Sequence, residues 1–246
     1  IRIIEGFILP KANCCIAADY ERAKIMEKWY KLDKVETIRN VPLYFHDSVN
    51  KKNLIKEKLS LDDTSKILLY QGIISLGRGI EASIIASAKV NNEQFALVLL
   101  GDVDVVYKTY LIKIAESNNF NRLFFISAVP WYELLQWTSS ADISLVLIEN
   151  ISLSYFLAAP NKIYESIMAE VPYIASDFPE INRVHNIAKA GILVNPEDTD
   201  KIAGAINTII NDGVLVNNFK QNANKAKQIF NWEKEKIKLL NIINHL

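Results

Sequence analysis

Short apolar runs that alternate with amphipathic segments constrain this chain more than any other feature of its sequence. From Lys66 onward each apolar run has the length of a strand, and the segment after it has the apolar spacing of a helix. Strands buried on both faces read as continuous apolar runs, and strand–helix alternation indicates a parallel sheet. The sequence therefore predicts an α/β fold built on a Rossmann-like, doubly wound parallel sheet. The predicted strands span residues 67–70, 95–100, 123–126, 143–147, 172–175 and 192–194.

The predicted helices divide the chain into a short first unit and a longer second one. The first unit has a helix at 20–30 between strands at 13–17 and 35–38, followed by a polar, Lys-rich linker at 46–64. We expect residues 1–64 to be the remnant of an N-terminal domain plus its linker, and residues 65–246 to form one Rossmann-like domain. The chain opens on Ile1 rather than Met, which favours a piece of a longer protein. The helices of the second unit are predicted near 79–90, 105–117, 131–140, 161–170, 180–187, 199–211, 215–229 and 232–245.

Composition excludes several classes of protein. Lys plus Arg and Asp plus Glu both number 28, so the basic excess of a general nucleic-acid binder is absent. Adjacent Cys14 and Cys15 cannot join distant segments, which indicates a reducing compartment, the cytoplasm. The longest apolar runs are strand-length, far short of the ~20 residues that span a bilayer. His46, His185 and His245 lie far apart in sequence and have no metal-ligand spacing.

The loop at 72–79, GIISLGRG, lies between the first strand of the second unit and a helix. Gly72 and Gly77 have P-loop spacing, but Arg78 and Gly79 replace the Lys and the Ser or Thr of that motif. The closer glycines of a dinucleotide-binding fingerprint are also missing, so the loop argues against an NTPase and a NAD-dependent enzyme. A helix N-terminus with an Arg fork suits a diphosphate. A tight turn with a surface Arg explains the spacing equally well.

Two further strand ends give weaker signals. Gly101 follows the strand at 95–100, where glycine either allows close approach of a ligand or makes a plain turn. Main-chain groups near Val129 can read a nucleobase edge, with Trp131 as a shield. In the alternative, Pro130 opens a helix and Trp131 packs in the core.

The stretch PNKIYE at 160–165 places Asn161, Lys162 and Glu165 near one face of a first helical turn. A carboxylate at Glu165 can accept hydrogen bonds from two vicinal ribose hydroxyls. Lys162 and the helix N-terminus can face phosphate oxygens. The alternative is an N-cap Asn161 followed by a solvated Lys–Glu pair.

Taken in order, these motifs resemble the C-terminal domain of family 4 (group 1) glycosyltransferases. The resemblance is continuous over 66–230, and residues 13–45 look like the end of that family's N-terminal domain. The helix that starts at Trp232 resembles the one that crosses back onto that domain. The matching stretches are YQG at 70–72, RGIE at 78–81, LGD at 100–102, ADIS at 141–144, PNKIYE at 160–165 and GILVNP at 191–196.

The resemblance implies a GT-B fold, a sugar-nucleotide donor, retention of anomeric configuration, and chemistry without a metal or other cofactor. By position, Arg78 matches the basic residue that holds the donor diphosphate, and Glu165 matches the second Glu of the Glu-x7-Glu motif, which binds ribose. Asn161 and Lys162 match a Pro-Asn-Lys variant of this motif. We therefore assign catalytic roles to two residues and donor binding to five. These are Arg78 and Lys162 for catalysis, and Gly72, Gly101, Val129, Asn161 and Glu165 for the donor.

The sequence departs from the family pattern at two positions. Leu157 stands where the first Glu of the motif is expected, and Ile73 stands where a second loop Arg is usual. The first Glu usually faces the donor sugar, so its contacts pass to another group, for which Glu149 and Asn161 are the candidates.

The leading hypothesis is a retaining hexosyl or related transferase in polysaccharide or glycolipid assembly. It moves a sugar from a UDP- or GDP-sugar to a glycan or lipid-linked acceptor, without nucleic acid as partner. We expect a cytoplasmic protein that contacts the inner membrane face peripherally through its N-terminal domain, and an isolated chain that transfers no sugar. Two alternatives stay open: a GT-B-fold sugar-nucleotide epimerase, and a non-catalytic nucleotide-binding domain suggested by Leu157 and Ile73.

Overall fold

The computed structural model describes residues 2–46 and 53–245, which form eight strands and twelve α-helices. The strands are β1 (Ile16–Ala17), β2 (Glu36–Thr37), β3 (Lys66–Gln71), β4 (Phe95–Leu100), β5 (Leu123–Ile126), β6 (Ile143–Val146), β7 (Tyr173–Ser176) and β8 (Gly191–Val194). The helices are α1 (Arg2–Ile8), α2 (Tyr20–Tyr30), α3 (Leu54–Leu59), α4 (Ile80–Ser87), α5 (Val105–Ser117), α6 (Leu134–Ser139), α7 (Leu153–Phe156), α8 (Asn161–Met168), α9 (Pro179–Ala188), α10 (Thr199–Asn211), α11 (Gly213–Ala226) and α12 (Trp232–Asn244). A 3-10 turn at Leu9–Lys11 follows α1.

The main sheet confirms the predicted Rossmann-like fold. Its strand order is β5-β4-β3-β6-β7-β8, and every pairing is parallel. The chain builds outward from β3 on one side and then returns to build outward from β6 on the other. This is the doubly wound order, with its topological switch point between β3 and β6. Ligands of such sheets bind beyond the carboxyl ends of the strands at that point.

Burial explains why the strands were predictable. All six side chains of β4 are buried, because helices cover both faces of the sheet. Strand β7 begins at Tyr173 rather than at the predicted Pro172, since proline has no N–H to donate to a ladder. The carbonyl of Pro172 still accepts a hydrogen bond from Ser144 N at 2.8 Å.

The first unit has the predicted strand–helix–strand order, but its strands are only two residues long. Strands β1 and β2 pair in parallel with each other and with no other strand among the residues described. Four buried residues form the small core between them and α2: Cys15, Ala17, Ala23 and Val35. Helix α1, which the sequence analysis did not predict, leaves Ile3, Ile4, Phe7 and Ile8 exposed.

Part of the predicted linker is helical. Helix α3 carries Ile55, which is fully buried in one cluster with Ile67 and Leu69 of β3. The helix is only six residues long, so its apolar Leu54, Ile55 and Leu59 give too short a pattern to be recognised in sequence. Residues 47–52 of that linker lie outside the described residues.

In the part of the chain that is described, every helix falls short of the length and apolar character needed to cross a membrane.

Candidate functional site at the sheet switch point

The loops predicted to bind a ligand all emerge at one edge of the main sheet. The 72–79 loop follows β3, Gly101 follows β4, Val129 follows β5, and the segment after β6 leads into α8. The order of the strands places these ends around the switch point between β3 and β6. Topology therefore gathers residues that are up to 93 positions apart, from Gly72 to Glu165.

Two of the predicted glycines are in direct backbone contact. Gly72 has φ +113° and Gly101 has φ +151°, a region that favours glycine. A Cβ atom on Gly101 would lie 1.9 Å from the carbonyl oxygen of Gly72. Gly72 N also donates a hydrogen bond to Leu100 O at 2.9 Å. The space beside Gly101 is thus filled by the neighbouring loop, and its predicted contact with a donor stays a prediction.

The two glycines on either side of Arg78 allow the segment after β6 to pack against the loop. A Cβ atom on Gly77 would lie 2.5 Å from Ile151, and one on Gly79 would lie 2.6 Å from Leu147. The guanidinium of Arg78 lies over the Tyr155 ring, 4.8 Å from its centroid. Its Nε is buried without a hydrogen-bond partner among the described residues.

Lys162 lies beneath the surface at the start of α8, with 7% of the residue exposed. Its Nζ is 3.7 Å from the centroid of the Tyr70 ring. It makes no ion pair within residues 2–46 and 53–245. Burial, and to a lesser degree the nearby Arg78 charge, lower the pKa of Lys162 to about 7, although the Glu165 charge acts in the opposite direction. The alternative of a solvated Lys–Glu pair is wrong, because tertiary packing turns this side chain inward.

A cavity of about 550 Å³ opens beside the start of α8. Its polar lining includes Asn161 and Glu165, and much of the rest is aromatic or aliphatic. Trp131 is 76% exposed, so the alternative that packs it in the core is wrong. Helix α6 starts at Leu134 rather than at the predicted 131, because Trp131 belongs to the preceding turn. The lining residues are Asn40, Val41, Pro42, Leu43, Tyr44, Phe45, Trp131, Tyr132, Leu134, Leu135, Asn161, Glu165 and Trp232.

The Glu165 carboxylate is held at the cavity wall by Gln71. Gln71 Nε2 donates a hydrogen bond to Glu165 Oε2 at 2.5 Å. Burial raises the pKa of Glu165, while this hydrogen bond and the Lys162 charge act in the opposite direction. Sequence reasoning missed Gln71, and only its place in the YQG stretch at 70–72 could have signalled it.

Asn161 lies at the mouth of the cavity, where its Oδ1 accepts a hydrogen bond from Asn40 Nδ2 at 3.2 Å. The residue that caps α8 is Pro160, so the alternative role of Asn161 as the N-cap is wrong. Asn161 is exposed where Lys162 is buried, because successive residues of a helix point in different directions.

One wall of the cavity belongs to the first unit of the chain. Residues 39–45 run along the start of α12 as a strap, fastened by main-chain and side-chain hydrogen bonds. Arg39 N and Nη1 donate to the Glu235 carboxylate at 3.0 and 2.9 Å. Trp232 N donates to Pro42 O at 2.9 Å, and Tyr44 N donates to Glu233 Oε2 at 3.0 Å.

The two departures from the family pattern have different surroundings. Leu157 is buried, and Ile73 is exposed in the loop after β3. Glu149, a candidate to replace the missing Glu, accepts a hydrogen bond from Gly79 N at 3.1 Å. Burial raises the pKa of Glu149. Glu149 therefore braces the loop that carries Arg78, and its contact with a donor sugar stays a prediction.

Comparison with known proteins gives a family and a fold. The family described as "Glycosyl transferases group 1" matches residues 51–226. An uncharacterized glycosyltransferase of Methanocaldococcus jannaschii is 24% identical over 224 residues, which cover 85% of this chain and 54% of that protein.

Solved structures agree with this fold over nearly the whole chain. Sucrose-phosphate synthase from Thermosynechococcus elongatus superposes with a TM-score of 0.80 at 22% identity, covering 99% of this chain and 61% of the synthase. Anabaena HepE, in complex with UDP and glucose, superposes with a TM-score of 0.81 at 18% identity, covering 100% of this chain and 67% of HepE. The chain thus spans a little over half the length of the archaeal relative.

Proposed function

Because the chain belongs to the group 1 glycosyl transferases, we propose that it binds the nucleoside diphosphate sugar donor of a retaining transfer reaction. The observation that carries the proposal is the pair of cations at the switch point. Arg78 and Lys162 lie close enough for one charge to depress the pKa of the other. Neither forms an ion pair with a carboxylate among the residues described, although the Glu165 charge is near enough to raise the pKa of Lys162. Two unpaired cations at the carboxyl edge of such a sheet suit the two phosphates of a donor.

The cavity supports a nucleoside next to this phosphate site. Glu165 lines it and presents a carboxylate that accepts hydrogen bonds from a ribose diol. We propose that the base lies beside the exposed Trp131 ring, which lines the cavity, and that the main chain near Val129 reads its edge. We propose that UDP or GDP carries the sugar, and the UDP complex of HepE supports a uridine donor.

The proposed chemistry follows from these charges. When the bond from the anomeric carbon to the diphosphate breaks, negative charge accumulates on the leaving phosphate. We expect Arg78, Lys162 and the N-terminal end of α8 to stabilise that charge, which would lower the barrier without a metal. Glu149 or Asn161 orients the sugar in place of Leu157.

The acceptor side of the proposal rests on family membership. We propose a glycan or lipid-linked acceptor in polysaccharide or glycolipid assembly, and a cytoplasmic protein that contacts the membrane peripherally. Transfer needs donor and acceptor held together, which supplies on the order of 7–11 kcal/mol of barrier reduction. We therefore expect the 246 residues alone to bind the donor without transferring sugar.

Calorimetry with UDP, UMP, GDP and GMP in the presence of a metal chelator tests the donor proposal. The diphosphates should bind more tightly than the monophosphates, because only they reach both cations. Equal affinities, or binding that appears only with Mg²⁺, would contradict it.

A further inference from the structure

Glu165 is connected to two buried residues that the proposed reaction does not otherwise use. Gln71 ends β3 and Thr138 lies in α6, and both are almost completely buried. Thr138 Oγ1 donates a hydrogen bond to Gln71 Oε1 at 2.6 Å, and Gln71 Nε2 donates to Glu165 Oε2 at 2.5 Å. A chain of two hydrogen bonds therefore runs from α6 through the end of the central strand to the cavity wall.

The direction of these bonds is linked to the protonation state of Glu165. An amide has a donating and an accepting end, and the end that Thr138 engages decides which end faces Glu165. When the hydroxyl donates to Oε1, the NH₂ group faces Glu165 and favours the ionised carboxylate, which is the stronger acceptor. The Thr138 hydroxyl also lies 2.8 Å from Leu134 O. Donation of its single hydrogen there would turn the amide round and require a protonated Glu165.

We infer that Thr138 and Gln71 are positioning residues that hold Glu165 as an ionised hydrogen-bond acceptor at the cavity wall. This inference rests on the proposed function, in which that carboxylate accepts the ribose hydroxyls of the donor. A protonated Glu165 could accept fewer hydrogen bonds there. Burial alone raises the pKa of Glu165, so the amide and the Lys162 charge are what favour the ionised form.

The variant Gln71→Glu tests the inference because it replaces the amide by a carboxyl of the same shape. At low pH the new carboxyl keeps a proton, accepts from Thr138 and donates to Glu165, so UDP should bind as in the wild type. As the pH rises both carboxyls ionise and repel each other. The ratio of variant to wild-type UDP dissociation constants should then rise about tenfold or more between about pH 5 and about pH 8. Taking the ratio removes the pH dependence that the two proteins share.

A second readout needs no nucleotide. The pKa of the carboxyl pair is raised in the folded protein, so the variant's stability is retained at low pH and lost as the pH rises through that value. The Tm deficit of Gln71→Glu should therefore grow with pH. The control is Gln221→Glu, which adds the same charge at an exposed position of α11 and should keep both measures flat.

The outcomes separate the two claims. Flat affinity ratios and a flat Tm deficit in Gln71→Glu would overturn the inference. If the wild type fails to bind UDP but the pH-dependent Tm deficit is present, the proposed function is overturned. The positioning of Glu165 by Thr138 and Gln71 would then still stand. If Gln71→Glu does not fold, carboxyl NMR titrations of Thr138→Val and Thr138→Ser decide. The pKa of Glu165 should rise in Thr138→Val and return to its wild-type value in Thr138→Ser. Equal pKa values in the wild type and both variants would overturn the inference.

Discussion

The ammonium of Lys162 lies over the face of Tyr70, 3.7 Å from the ring centroid. Tyr70 belongs to β3 and is itself held by a 2.6 Å hydrogen bond from its hydroxyl to Ile73 O. The ring face attracts a cation, yet it cannot replace the water that the ammonium loses on burial. The pKa of Lys162 is lowered mainly because of this lost hydration, and an anion beside the ammonium would raise it again.

Lys162 should make stability depend on pH in a defined window. Its folded-state pKa is about 7, below the usual ~10.4 of lysine, so the unfolded chain binds more protons between these values. Wild-type stability should therefore rise from about pH 7 to about pH 10, and Lys162→Met should lack that rise. Thermal unfolding across this range measures it. Parallel curves for the two proteins would contradict the assignment.

UDP binding should be coupled to proton uptake by the same lysine. A diphosphate raises the pKa of Lys162, so near pH 8 the complex takes up a proton that the free protein lacks. Calorimetry in buffers with different ionisation enthalpies counts that proton. Lys162→Met should bind UDP more weakly and take up no proton, and uptake that persists in this variant would assign the effect to another group.

Arg78 should discriminate diphosphate from monophosphate. Arg78→Lys keeps the charge and loses the planar fork, so we expect an intermediate loss, whereas Arg78→Ala should weaken UDP binding by about 1.5–3 kcal/mol. UMP should lose less in both variants. The measurement is a titration of each variant, and of the wild type, with UDP and with UMP. Equal losses for UDP and UMP would place Arg78 away from the terminal phosphate.

Glu165→Ala should weaken UDP binding by roughly 1–3 kcal/mol, since hydrogen bonds to a charged group are lost. The fold should survive, because the side chain borders a cavity. A ribose role also predicts that Glu165→Ala loses its effect when the ligand is a 2′,3′-dideoxy analogue of UDP. An unchanged affinity with a lower Tm would instead indicate a structural role.

Gly101→Ala should be far more destabilising than alanine at another glycine. The added Cβ would lie 1.9 Å from Gly72 O, and φ +151° is strained for any L-residue. We expect a loss of at least about 3 kcal/mol in the free energy of unfolding. Gly204→Ala is the matched control. Its Cβ meets nothing within 4 Å, so in α10 it should stabilise by about 0.5–1 kcal/mol. Chemical denaturation of both variants gives the comparison.

The sequence predicted the sheet and the placement of the motifs well, because both depend on local patterns. Strands such as β4 are apolar throughout, and parallel topology then brings Gly72, Arg78 and Glu165 to one edge without further information. The predicted strands of the first unit were too long, since a two-stranded ladder has few partners that extend it.

Contacts across the fold could not be predicted. Tyr155 under Arg78, Tyr70 under Lys162, and Thr138 behind Gln71 each join segments whose spacing in sequence carries no signal. The same holds for the strap at 39–45, which lines the cavity only because α12 returns to it. Lys162 was expected to be solvated in one alternative, and tertiary packing overrode that preference.

Because the strap is hydrogen-bonded to α12, the width of the cavity is coupled to the position of this helix. The strap cannot move outward without breaking its bonds to Trp232, Glu233 or Glu235. A ligand that binds only when this wall is in its present place therefore stabilises the packing of α12. By reciprocity, a partner that stabilises α12 there raises the affinity for that ligand. We therefore expect a ligand bound in the cavity to slow hydrogen exchange of the α12 amides.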